Sequence, residues 1–144
     1  MPSEIKKLSI NDYDSILNLW LEAGLTFKPK GRDSRSKMSK EMALDGVAYF
    51  GLYENQQLIA VGIANYDGRR GWINRLAVHP DNRGRNLAGT IIAECENFLR
   101  SKGAMVMTAL IEDINSPSMS TFQKAGYACE KSWLYFAKRE SNDA

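Results

Sequence analysis

Leu76-Ala77-Val78-His79-Pro80, continued by Asp81-Asn82-Arg83-Gly84-Arg85-Asn86-Leu87-Ala88-Gly89-Thr90, takes an apolar strand through a basic turn into the start of a helix. Pro80 stops the strand, because it cannot donate to a ladder. Beyond the turn, Leu87, Ala88, Ile91, Ile92, Cys95, Phe98 and Leu99 form one apolar stripe and predict a helix over 87–102, closed by Gly103. The first turn of such a helix has backbone N–H groups without intrahelical partners, and the helix dipole places partial positive charge there. A phosphate suits that position. Gly84, Ala88 and Gly89 let a ligand approach the main chain, and Arg83 and Arg85 add charge. A solvated basic turn accounts for the same residues without a ligand, since short glycine patterns recur by chance. No Gly-Lys-Ser/Thr follows, so this is not a P-loop. The strands before it form a meander and not a βαβ unit, which counts against a dinucleotide fold.

Upstream, the meander is predicted from 47–53, 58–65 and 72–79, with polar turns at 54–57 and around Asp67-Gly68 and Gly71. A short strand over 5–8 precedes it. Asn11 and Asp12 then open a helix whose Ile16, Leu19, Trp20 and Ala23 share one face, with Gly24 as its stop. Residues 25–33 read as a loop and 34–45 as a weaker helix with Met38 and Met42 on one face. Downstream, 104–111 (AMVMTALI) reads as a buried strand and 116–125 as a short helix with Pro117 in its first turn. Residues 133–138 (WLYFAK) read as the last strand. No repeat or linker divides the sequence. The expectation is one α/β domain over 1–144 with a mixed, mostly antiparallel sheet and a flexible tail at 139–144.

Composition bounds the function. Hydrophobic residues make up 44% and charged residues 25%, the balance of a soluble globular protein. No apolar run approaches the roughly 20 residues that span a bilayer. Glu4, Lys6 and Lys7 interrupt any signal-peptide core, so no membrane association is expected. Cys95 and Cys129 lack metal or redox spacing, which fits a reducing cytoplasm and predicts no metal. A nucleic-acid reading through Arg69, Arg70, Arg83 and Arg85 would bring steep salt dependence, and the net charge of +2 speaks against it. The same charge is compatible with an anion held locally. The apolar last strand leaves room for a homodimer.

Leu76-Ala77-Val78-His79-Pro80, the turn from Asn82 to Ala88, Asn115, and Lys124-Ala125-Gly126-Tyr127 together resemble the GNAT superfamily of acyl-CoA-dependent N-acyltransferases. The likeness covers nearly the whole chain in element order and is strongest over 72–127. It implies a mixed, mostly antiparallel central sheet with helices on both faces, in which two strands splay to form an acetyl-CoA cleft. It implies that the Arg83, Asn86 and Ala88 positions carry the Arg/Gln-x-x-Gly-x-Gly/Ala pattern, and that amides from Arg83 to Thr90 hold the coenzyme A pyrophosphate. Leu76, Ala77 and Val78 would present main chain to the pantetheine arm, and Asn115 would hydrogen-bond to it. An exposed strand edge suits the two pantetheine amides, and an N–H near Ala77 or Val78 would stabilise the thioester oxygen as it gains charge. The activity implied is acetyl transfer from acetyl-CoA to an amine. The runner-up is an acyl-CoA sensor without turnover.

Two positions depart from the family pattern. Asn86 replaces the middle glycine, and asparagine tolerates positive φ and also caps helices. Phe122 stands at the coenzyme-side position of a tyrosine that protonates the leaving thiolate, and phenylalanine cannot do so; core packing is its other reading.

Acetyl transfer needs a neutral amine, and a lysine-like amine is neutral in only about one molecule in two thousand near pH 7. A general base corrects this. Glu112 and Asp113 follow the strand before Asn115, and Glu112 is the candidate; solvation at the surface is the alternative for either. His79 reads as a turn residue. Asn74 and Arg75 alternate along their strand, so one should face the acceptor. The resemblance further implies that Phe27, Lys28, Arg32 and Arg35 wall the acceptor site, and their basic character suits an acceptor bearing an anionic group. Cys95 falls on the apolar stripe of its helix. Trp72 and the run Trp133 to Phe136 suit either acceptor-site walls or buried sheet positions.

Overall fold

A computed structural model describes residues 4–144, so the first three residues of the expected domain lie outside the described part. Five strands form one sheet in the order β1 (Glu4–Lys7), β2 (Val47–Glu54), β3 (Gln57–Tyr66), β4 (Gly71–Val78), β5 (Met107–Thr108). All neighbours are antiparallel except β4 and β5, which run parallel. β2 and β3 are nearly continuous apolar runs because the sheet is covered on both faces.

One face carries α1 (Tyr13–Ala23) and α2 (Arg35–Met42). Ile16, Leu19, Trp20 and Met38 pack there with Tyr49, Val61, Ile63 and Ala77. The entry to α1 differs from expectation. Ser9 and Asp12 form a reciprocal capping box around a single 3₁₀ turn, so the cap lies two residues before Asn11. Gly24, at φ +80°, ends the helix as predicted.

The other face carries α3 (Leu87–Lys102) and α4 (Ser116–Lys124). Ile91, Ile92, Cys95 and Leu99 are fully buried on α3, and each large aliphatic among them contributes about 1.5–3 kcal/mol. Burial pushes the Cys95 thiol up to about 12, with Glu94 and Glu96 adding to the effect. The helix approaches the sheet closely at Gly62, where a Cβ would meet Ile91 Cγ2 at 2.6 Å.

The C-terminal third departs most from the expectation. The strand expected over 104–111 is reduced to Met107–Thr108, with Met105 90% exposed and Leu110 61% exposed. The strand expected over 133–138 does not form: Trp133 is 72% exposed and Phe136 88%, and the segment joins no ladder. Apolar, aromatic composition favours a strand only where a partner edge accepts it, and β5 offers two residues. Among the described residues the tail over 139–144 makes one long-range backbone hydrogen bond, with the Asp143 carbonyl accepting from the Arg32 N–H at 3.3 Å.

Candidate functional site

Two features of β4 build the site. The first is its pairing. β4 meets β5 only at Gly71–Met107 and Trp72–Thr108, so from Ile73 to Val78 the edge on that side has no strand beside it. The register with β3 decides which groups face the opening. His79 donates to the Ile59 carbonyl at 2.8 Å, and Val61 opposes Ala77 in the same register. Hydrogen-bonded pairs alternate in an antiparallel ladder, so Ala77 turns its N–H and C=O toward β3. Leu76 and Val78 turn theirs into the open cleft. Of the two positions expected to offer an oxyanion donor, Val78 has its N–H toward the open edge and Ala77 has its N–H toward β3. The Ala77 side chain is buried against α1, while Leu76 and Val78 pack toward α3.

The second feature is a bulge. The register shifts between Val61 and Ile63, and Arg75 opposite it adopts φ +55°, a left-handed conformation uncommon for a non-glycine residue. The bulge turns the Arg75 side chain toward α1. Its guanidinium lies 4.4 Å from the centre of the Trp20 ring, donates to the Thr26 carbonyl at 2.6 Å, and reaches Asp33 Oδ2 at 3.0 Å. Burial pulls the Arg75 guanidinium below its ordinary value, and the Asp33 carboxylate opposes that. Asp33 is only 7% exposed; its Oδ2 also accepts from the Lys28 N–H at 2.7 Å, and its carbonyl accepts from the Tyr13 hydroxyl. Asp33 thus fixes the arginine, a role that sequence reading missed.

Beside this network opens a cleft of about 460 Å³. Its lining includes Thr26, Arg32 and Arg75, from the loop after α1 and from β4, and Glu112, Ile114 and Asn115, from the segment before α4. The structure therefore brings Arg32, Arg75, Glu112 and Asn115 together. Neither Phe27, tilted against Trp20 at 6.3 Å, nor Asn74 is among the lining residues. Asn115 caps α4 by accepting from the Ser118 N–H through its side-chain oxygen, which leaves its side-chain NH₂ to donate elsewhere.

The basic turn forms a second concavity. Gly84 has φ +82°, and Asn86, at φ 58° and ψ 31°, starts α3 from the left-handed region without a side-chain cap. Thr90 N–H already finds the Asn86 carbonyl at 3.3 Å, so the Leu87, Ala88 and Gly89 amides are the ones without intrahelical acceptors. Leu87 contributes main chain alone, because its side chain is in the core. The Arg83 side chain is exposed with no ion-pair partner among the described residues. Arg85 is drawn away, held by Glu54 through two bonds of 2.7 and 3.1 Å. Asn86 Oδ1 leans over the first turn, and a Cβ on Gly89 would meet it at 2.5 Å. Asn86→Gly should therefore keep stability within about 0.5 kcal/mol, since glycine adopts positive φ freely. It should leave anion affinity at the turn equal or higher; calorimetry showing a large loss would mean that the amide side chain is itself a ligand.

His79 acts as a turn residue, with Nδ1 accepting from the Asp81 N–H at 3.2 Å. Phe122 is buried in the core, edge-on to Tyr127 at 5.1 Å. Among the described residues no three His, Cys, Asp or Glu side chains gather as metal ligands, and no helix is long and apolar enough to cross a membrane.

Residues 13–127 match the profile of the acetyltransferase (GNAT) family. An acetyltransferase of Sodalis glossinidius is 26% identical over 140 residues, covering 97% of both chains. One of Pectobacterium atrosepticum is 25% identical over 124 residues, covering 86% of each. Among solved structures, the PaiA N-acetyltransferase of Thermoplasma acidophilum in complex with coenzyme A superposes with a TM-score of 0.80 at 20% identity, covering 90% of this chain and 92% of that one. AAC(6')-Iy bound to a bisubstrate analogue, CoA-S-monomethyl-acetylneamine, also gives 0.80, at 16% identity and covering 96% and 99%. The α+β fold is shared with these structures.

Proposed function

The chain belongs to the GNAT family of acetyltransferases, and from that premise we propose that it moves an acetyl group from acetyl-CoA to a primary amine by direct attack. The observation that carries this reading is the open edge of β4 running directly into the cleft lined by Arg75 and Glu112. The presence of coenzyme A and a coenzyme A conjugate in the two structural neighbours supports it. In this reading the free amides of Leu87, Ala88 and Gly89, with Arg83, receive the pyrophosphate, and Gly84 keeps the approach open. The Leu76 and Val78 main chain receives the pantetheine amides, with the Asn115 side chain as a further donor. Val78 N–H is the donor for the thioester oxygen as charge develops.

Glu112, at the cleft rim, takes the proton that the attacking amine must lose. The buried Phe122 supplies no proton to the departing thiolate. A thiolate with a conjugate acid near pKa 8.5 is a good leaving group and can be protonated by water afterwards. No metal takes part in this scheme. In this reading 1–144 is one acetyltransferase domain, and the two free thiols suit a cytoplasmic setting. No nucleic acid or membrane is required. The exposed run Trp133 to Phe136 is the surface offered for homodimer contact.

Binding to the folded state alone must stabilise it, by about 2.7 kcal/mol at a hundredfold excess over Kd. A melting temperature unmoved by millimolar acetyl-CoA, with no heat in calorimetry, overturns the proposal. Glu112→Gln should lower kcat at least about tenfold at pH 7 while acetyl-CoA affinity stays unchanged. An unchanged kcat would transfer the role to Asp113. An acyl-CoA sensor, the second reading, is favoured by the missing hydroxyl at Phe122. It is chosen if acetyl-CoA binds tightly and no amine releases free thiol.

A further inference from the structure

The acceptor cleft has a charge pattern that narrows the substrate class. Its lining carries two cations, Arg32 and Arg75, and one anion, Glu112. The two arginines are not equivalent. Arg75 is held in place: one terminal nitrogen donates to the Thr26 carbonyl, the other to Asp33, and the guanidinium carbon lies 4.4 Å from the Trp20 ring centre. Arg32 touches Asp33 only through Nε, at 3.5 Å, with its side chain 43% exposed. No hydrogen bond engages either of its terminal nitrogens among the described residues. An arginine on the lining of a cleft, whose Nε lies near a buried carboxylate and whose terminal nitrogens have no hydrogen bond among the described residues, is suited to bidentate contact with a planar anion. Glu112, by contrast, makes no side-chain ion pair among the described residues and lines the same cleft.

Resting on the acetyltransferase reading above, we infer that the acceptor is a small amine that also carries a carboxylate, with the carboxylate on the open fork of Arg32 and the amine toward Glu112. The cleft volume of about 460 Å³ is that of a small-molecule site. Asp33 answers Arg75, which leaves the outer fork of Arg32 and the Glu112 carboxylate as the charges free to meet a ligand, one of each sign. An amine that also carries a carboxylate matches both, whereas polyamines and aminoglycosides leave the Arg32 fork without an anion. Both a free amino acid and the end of a short peptide supply an ammonium and a carboxylate.

The test uses the full chain, shown first to bind acetyl-CoA by its melting shift, so that failure of the family-based reading is seen separately. Free thiol release is followed with the twenty amino acids, a set of dipeptides, the amides of each, spermidine and kanamycin. The expected result is turnover of a carboxylate-bearing amine, with kcat/KM at least tenfold lower for its amide. A preference for dipeptides over free amino acids identifies the peptide source, and the reverse identifies the free amino acid. Arg32→Gln should raise KM for the best acceptor about 10- to 100-fold, the effect of losing a charge-assisted pair. It should leave kcat, acetyl-CoA affinity and the KM of the amide nearly unchanged. Arg32→Lys should recover part of the loss. The inference is overturned if spermidine or kanamycin is the best acceptor, if amides react as well as acids, or if Arg32→Gln affects acid and amide alike. It is also overturned if no carboxylate-bearing amine reacts in protein that binds acetyl-CoA.

Discussion

Ala88→Glu should abolish acetyl-CoA binding, by at least about 100-fold, while leaving the protein folded as firmly as the wild type or more so. The two effects separate because of where Ala88 sits. It is the second residue of α3, after the Asn86 cap and Leu87, where a carboxylate interacts favourably with the helix dipole by about 0.3–1 kcal/mol. The same carboxylate would occupy the three free amides and stand where the pyrophosphate is proposed to lie. Like charges brought together cost several kcal/mol, hence the expected loss of affinity. Gly84→Glu is the informative companion. No atom lies within 4 Å of a Cβ built there, but φ is +82°, so that variant should lose about 1–2 kcal/mol of stability as well as affinity. Calorimetry and thermal melting on both variants separate the contributions. Normal affinity in folded Ala88→Glu would place the phosphates away from this helix.

What could be read from the sequence was what depends on neighbours along the chain. The limits of α3 follow from its apolar stripe and from Gly103, at φ +107° just past its end. The meander follows from three apolar runs with polar turns between them. The amide cradle was legible for the same reason, since a helix start and its small residues are contiguous. The fate of Arg85 was not, because Glu54 lies 31 residues away and reaches it only once β2 and α3 are packed. The bulge at Arg75 left no signal, as nothing in that residue favours positive φ; its partners Thr26, Asp33 and Trp20 arrive through tertiary structure. The Ser9 cap was within reach, because Ser9-x-x-Asp12 has the spacing of a capping box. The strand expected over 133–138 shows the opposite error. Its aromatic residues favour extended chain, but pairing belongs to two segments, and β5 ends after Thr108.

Asp33→Ala should destabilise the protein by about 3 kcal/mol and disable the acceptor cleft with it. Removing one member of a buried ion pair leaves the other charged and poorly solvated, and such changes cost about 3–5 kcal/mol when fully buried. The side chains of Asp33 and Arg75 are 10% and 21% exposed, which places the expected loss toward the lower end. The backbone N–H of Lys28 would lose its acceptor in the same step. For a chain of this size the loss corresponds to a fall in Tm on the order of 10 °C. Arg75 would keep Thr26 and the Trp20 face but lose the contact that sets its direction, so acceptor kcat/KM should fall while acetyl-CoA affinity holds. The decisive comparison is the double variant with Arg75→Met. If the cost of Asp33→Ala comes from a stranded arginine, the double variant should melt above the Asp33→Ala single, because an unbranched apolar side chain can lie on Trp20 without needing a counter-charge. A single variant melting within about 2 °C of wild type would mean that Asp33 only tethers the loop from Lys28 to Ser34. A double variant no more stable than the single would show that the lost Lys28 bond, and not the unpaired charge, carries the cost.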